Sequence, residues 1–116
     1  MFITYKDMWK PGMWILYKEH IFIARNFKGT KFEELILFHE KTEMEEFKRI
    51  TPKEIQIKLI EIDKEYGAFD NDYSDEVNAF MQDIRTKYIR PAHLFARQQE
   101  KIKYPKLFVE FQNVIH

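Results

Sequence analysis

Histidine is the first residue type to ask about chemistry, because neutral imidazole is both a general base and the commonest metal ligand. His20, His39, His93 and His116 are scattered along the chain, and no two stand four residues apart as the zinc-binding helix face of a metalloprotease requires. There is no cysteine to supply a thiolate, so the sequence assigns no metal and no cofactor. His20 and His39 adjoin Glu19 and Glu40, but neighbours on a strand point to opposite faces, and a strand reading leaves those carboxylates unable to orient the rings. The segment FDNDYSDE offers Asp70, Asp72, Ser74 and Asp75 for a calcium loop. Counted from Asp70, however, Asp75 falls where the loop needs glycine, and Met81 falls where it needs a bidentate glutamate.

Other catalytic signatures fare no better. Glu46-Phe47-Lys48, read as strand, has the acidic-x-Lys spacing of some metal-dependent nucleases but lacks the earlier aspartate. Gly12, Gly29 and Gly67 are isolated, which excludes a glycine-rich phosphate loop, and Ser74 is the sole serine, outside any nucleophile elbow. No catalytic residue is assigned. The expectation is a non-enzymatic binding protein.

Two sets of residues could bind. Trp9, Trp14 and Tyr17 are of the types enriched among interface anchors, which points to a protein partner or self-association through an aromatic-rich face. Between residues 85 and 106 seven basic residues meet one acid, Glu100; at 100° per residue Arg90, Arg97 and Lys101 share a side, so phosphate contact makes nucleic acid the alternative partner.

The elements expected to position these residues are α+β. Phe2 to Lys6, Met13 to Tyr17, Ile21 to Phe27, Phe32 to Phe38 and Met44 to Ile50 read as a four- to five-stranded antiparallel meander. The Lys10-Pro11-Gly12 break, the Lys18-Glu19-His20 hairpin loop and a turn at Lys28-Gly29-Thr30 separate the first of these strands. The rhythm of residues 11 to 54 is similar to a small SH3-like or Tudor-like barrel, a likeness that assigns no functional residue. Helices follow. Thr51, Pro52, Glu54 and Gly67 bracket one, with Ile55, Leu59, Ile62 and Tyr66 on one face, against a competing strand over Ile55 to Leu59. Ser74 caps the next, which Pro91 kinks or restarts. Leu107 to Val114 alternates weakly, as a C-terminal edge strand would. The organisation expected is one domain, residues 1–116, mainly β over 1–50, mainly α over 51–104 and edge strand over 105–116.

Composition fixes the remaining bounds. Eleven phenylalanines, six tyrosines and two tryptophans in 116 residues argue against disorder. The net charge is zero, but residues 1–32, 33–76 and 77–116 sum to +4, −8 and +4, an acidic middle that could pair with its basic flanks. Apolar runs are far shorter than the roughly 20 residues of a membrane span. Lys6, Asp7 and Lys10 interrupt any leader-like stretch, so the expectation is cytoplasmic, with no membrane partner. Motif-free chains of this size are common in phages and mobile elements, which suggests an accessory or inhibitor role.

Overall fold

The computed structural model describes residues 1–69 and 72–115; Asp70, where the calcium-loop comparison starts, and His116 lie outside them. Strands β1 (Phe2–Lys6), β2 (Gly12–Ile15) and β3 (His20–Ala24) form a mixed sheet in the order β1-β3-β2, with β1 parallel and β2 antiparallel to β3. The β2–β3 hairpin turns through a 3-10 segment, Tyr17–Glu19, in which Lys18 and Glu19 take positive φ. As the central strand, β3 is covered on both faces, which explains its unbroken apolar run. Ile21 and Ile23 enter the main core, whereas Phe22 packs under Phe69, with ring centroids 5.0 Å apart.

The rest is helical: α1 (Glu33–Ile50), α2 (Lys53–Tyr66), α3 (Asp75–Ile84), a π-helical turn (Arg85–Ile89), α4 (Arg90–Lys103) and α5 (Pro105–Ile115). The expected antiparallel meander and SH3-like barrel are therefore not formed. Phe32 to Phe38 and Met44 to Ile50 are not strands but parts of one helix, α1. Glu33 and Glu34 sit at its positive end and Lys48 and Arg49 at its negative end, as the dipole favours. Leu35, Ile36, Met44 and Phe47 line its buried face, and burying side chains of this size contributes about 1.5–3 kcal/mol each. Leu107 to Val114 is likewise no edge strand but α5, started by Pro105 and held by buried Phe108 and Phe111.

Residues 55–62 are helix, not strand. Thr51, rather than capping α2, ends α1, and the Gln56 amide donates to the Lys48 and Thr51 carbonyls at 2.9 and 2.8 Å. Ser74 does cap α3, accepting from the Val77 amide at 3.2 Å. The α-helical pattern restarts at Arg90, with Pro91 in the first turn of α4. The π-turn ahead of it, closed by the Arg90 amide on the Arg85 carbonyl, absorbs the missing donor, so α3 runs on into α4.

Gly12 sets the distance between β2 and α1. A Cβ there would stand 2.8 Å from Ile36 Cγ2 and 3.0 Å from Glu40 Cγ. Gly12→Ala should therefore push β2 off α1 and cost about 1–3 kcal/mol, the usual range for overpacking, in urea denaturation; wild-type stability would mean the strand is not held this close.

Candidate metal centre

Helices α1 and α4 run antiparallel in contact, as the pairs Glu34–Tyr104, His39–Glu100 and Glu43–His93 require. Ala92 and Ala96 have no exposed surface and let the α4 backbone approach closely. On α1, His39 and Glu43 are one turn apart; on α4, His93 and Glu100 are two turns apart. These four side chains, with Glu40, converge in the seam.

The geometry is that of a ligand set. His39 Nδ1 bonds to Glu100 Oε1, which leaves Nε2 facing the cluster. From that Nε2 it is 3.2 Å to His93 Nδ1 and 3.6 Å to Glu43 Oε2, while His93 Nδ1 lies 3.2 Å from Glu43 Oε1. A tetrahedral ion with bonds of about 2.0–2.1 Å holds its ligands about 3.4 Å apart. The two imidazole nitrogens stand close to that spacing and each faces a different Glu43 oxygen; with one ligand atom taken from each residue, all three lie within 4.8 Å of one another. The Trp14 indole N–H donates to Glu43 Oε2 at 3.0 Å and fixes the carboxylate. Glu100 on the far side of His39 is the carboxylate–histidine support that metal-bound imidazoles usually have.

Charge density here is high. Glu40, Glu43 and Glu100 are 6%, 6% and 4% exposed. Burial would lower the His39 imidazolium, but its bonds to Glu100 and Glu43 and the charge of Glu40 outweigh that and hold it up, to about 10. Burial also works against the Glu43 carboxylate, yet bonds from His39 and His93 keep it down at about 2. Glu40 goes the other way: burial, with repulsion from Glu43 and Glu100 and against the pull of His39, pushes it up to about 8. Its carboxylate has no hydrogen-bond donor among the described residues; His39 Nε2, at 3.7 Å, is beyond bonding range.

The cluster opens on a cavity of about 590 Å³. Residues Lys10 to Ile15 wall it on one side, and Leu59, Met81 and Phe111 contribute apolar surface. No family model, curated protein or solved structure matches the chain. The arrangement has to be judged by its own chemistry.

The sequence-predicted residues fall in different places. Of the three aromatics, Trp14 is half-buried and belongs to the centre. Tyr17 is half-buried, and Trp9 is 89% exposed. Arg90 and Lys101 are exposed, while Arg97 turns inward, donates to Gln112 Oε1 at 3.3 Å and lines the cavity. Glu46 and Lys48 lie on helix, not strand, and pair with Arg49 and Glu19. His20 is far from the centre and sits 2.7 Å from Thr4 Oγ1. Sequence reasoning missed Glu40, Glu43 and Glu100 as a set with His39 and His93. The signal present was His39-Glu40-x-x-Glu43, which has meaning only on a helix.

Asp63 on α2 also lines this cavity, and its Oδ2 accepts from the Leu16 and Tyr17 amides at 2.9 and 3.4 Å. Burial pushes its carboxyl up to about 6 against those bonds. Because the folded value lies above the unfolded 3.8, protonation favours the fold: this contribution is complete below the unfolded value and is lost as pH rises through about 6. Wild type should therefore lose up to about 3 kcal/mol relative to Asp63→Asn between about pH 3.5 and pH 7.5, measured by denaturant titration at each pH. A pH-independent difference would contradict this.

Proposed function

We propose that this chain holds a single divalent transition-metal ion, zinc foremost, on His39 Nε2, Glu43 and His93 Nδ1, and that the centre is hydrolytic rather than structural. The observation that carries the reading is the convergence of one ligand atom from each of His39, Glu43 and His93, on two helices, within 4.8 Å of one another. Two imidazoles and one carboxylate, with a fourth position left open, make up a ligand set used by hydrolytic zinc sites, whereas structural sites close all four positions. The open side faces the 590 Å³ cavity, and the Glu40 carboxyl stands beside it; burial holds its proton up to about pH 8 in the metal-free seam, and the charge of a bound dication would release that proton and leave a general base for a bound water. The buried Glu43 and Glu100 carboxylates beside the two imidazoles also favour occupation by a dication.

A second reading, a protein partner on an aromatic face, has in its favour the exposure of Trp9, Phe2 and Phe95.

Zinc titration of the apo protein by calorimetry should give one ion per chain, together with a rise in Tm. His39→Ala, Glu43→Gln and His93→Ala should each weaken binding at least tenfold, and Glu100→Gln about 10–100-fold. Glu40→Gln should stay within a few-fold of wild type. No uptake by wild type, or unchanged affinity in the two histidine variants, would overturn the assignment.

A further inference from the structure

Strand β2 is an edge. It pairs only with β3, and the bond from the Ala24 amide to the Pro11 carbonyl, 2.8 Å, identifies Pro11 and Ala24 as a hydrogen-bonded pair of the antiparallel ladder. Such pairs alternate. Met13 opposite Phe22 and Ile15 opposite His20 are therefore bonded to β3, while the N–H and C=O groups of Gly12 and Trp14 point away from the sheet. None of these outward groups has a hydrogen-bond partner among the described residues. Gly12 and Trp14 are only half-buried.

The outward stretch is also the part of the sheet joined to the centre. The Trp14 indole bonds Glu43, and the Glu40 carboxyl carbon lies 3.3 Å from the place a Cβ on Gly12 would occupy. Two alternating donor–acceptor pairs on a free strand are matched in chemistry by the backbone of another extended chain. A sugar or a nucleotide has no such repeat.

We propose that the substrate is an extended polypeptide, which adds to the free edge of β2 as a further strand and is cleaved at the peptide bond brought beside Glu40. This rests on the metal reading above and names its substrate. Water is the co-reactant. Its oxygen bonds to the scissile carbonyl carbon, polarised at the centre, while Glu40 takes a proton from it. The C–N bond then breaks with its electron pair on nitrogen, Glu40 passes the proton to that nitrogen, and the products are a carboxylic acid and an amine, between which the second water proton passes to leave a carboxylate and an ammonium. Leu59, Met81 and Phe111 along the same cavity suit a large apolar side chain next to the cleaved bond. Trp14 is a positioning residue, acting through Glu43.

The test uses the zinc-loaded full chain and a degenerate library of terminally blocked decapeptides, with products read by mass spectrometry. Wild type should release new termini, with apolar residues over-represented beside the cut. Glu40→Gln should keep its zinc but lose at least about a hundredfold in rate, and His93→Ala should be inactive. With a cleaved sequence added to zinc-loaded Glu40→Gln, the Gly12 and Trp14 amides should gain protection from hydrogen exchange, while Met13 and Ile15 stay unchanged. One zinc per chain without cleavage overturns the peptide substrate and leaves the metal centre standing. Cleavage undiminished in Glu40→Gln, or protection that avoids Gly12 and Trp14, overturns it too. Absence of zinc binding removes both.

Discussion

The structure depends on the contact between α1 and α4, because that contact carries opposite demands. It is the principal helix–helix seam, closed by Ala92 and Ala96 and flanked by buried Met44 and Phe47, and it also contains three carboxylates and an imidazole that water barely reaches. Taking a carboxylate out of water costs several kcal/mol even after relaxation. The seam stays closed because each of these groups except Glu40 is answered by a neighbour within bonding range, and because the apolar burial on either side outweighs the remainder. An apolar seam of the same shape would hold two helices together as well or better. The charges kept there are what the metal centre proposed above would use.

The surrounding elements restrain that seam. The sheet contacts it through Gly12, where the missing side chain lets the β2 backbone lie on Ile36 and Glu40, and through the Trp14–Glu43 bond. From α2, Asp63 ties down the turn after β2 by binding the Leu16 and Tyr17 amides. The π-turn before Pro91 gives α4 its phase after α3, which decides that His93, Arg97 and Glu100 look inward while Leu94 and Ile102 are left exposed. One residue more or less in that turn would rotate the α4 side chains by about 100° and carry them out of the seam.

What the sequence discloses follows from how local each signal is. Ser74 as a cap and Gly67 as a terminator of α2 act through their immediate neighbours, and both were legible, whereas Gly12, read as part of a break, is the first residue of β2. Helix α1 was not. Its inner face should read apolar at every turn, but Glu40 and Glu43 occupy that face between Ile36 and Phe47, so the pattern looked like two short apolar strands around a polar loop, His39 to Glu43. The residues that carry the chemistry erased the periodicity that would have revealed the helix. Once α1 was read as strand, His39 and Glu40 fell on opposite faces and the spacing of His39 to Glu43 lost its meaning. His93 and Glu100 lie more than fifty residues away, and only tertiary packing brings them in. The segment 107–114 failed for a simpler reason: short apolar runs fit both periods, and Phe108 and Phe111 turn inward on a helix as readily as alternate residues on a strand.

The donor set narrows the metal. Two imidazole nitrogens and one carboxylate are too nitrogen-rich for magnesium or calcium, which take oxygen, and the chain has no thiolate for cuprous ion. Ferrous ion can also use two histidines and a carboxylate, on one face of an octahedron. At right angles and with bonds of about 2.1 Å, such ligands stand about 3.0 Å apart. The 3.2 Å between the two imidazole nitrogens lies between that edge and the tetrahedral one of about 3.4 Å, so the spacing admits either geometry. The octahedron would need three open positions, whereas Glu40, pressed between Gly12 and His39, crowds the side on which they would lie. On the reading proposed above, ligand identity and the crowding by Glu40 favour a four-coordinate ion with a single exchangeable position, beside which stands a carboxyl with no hydrogen-bond donor among the described residues.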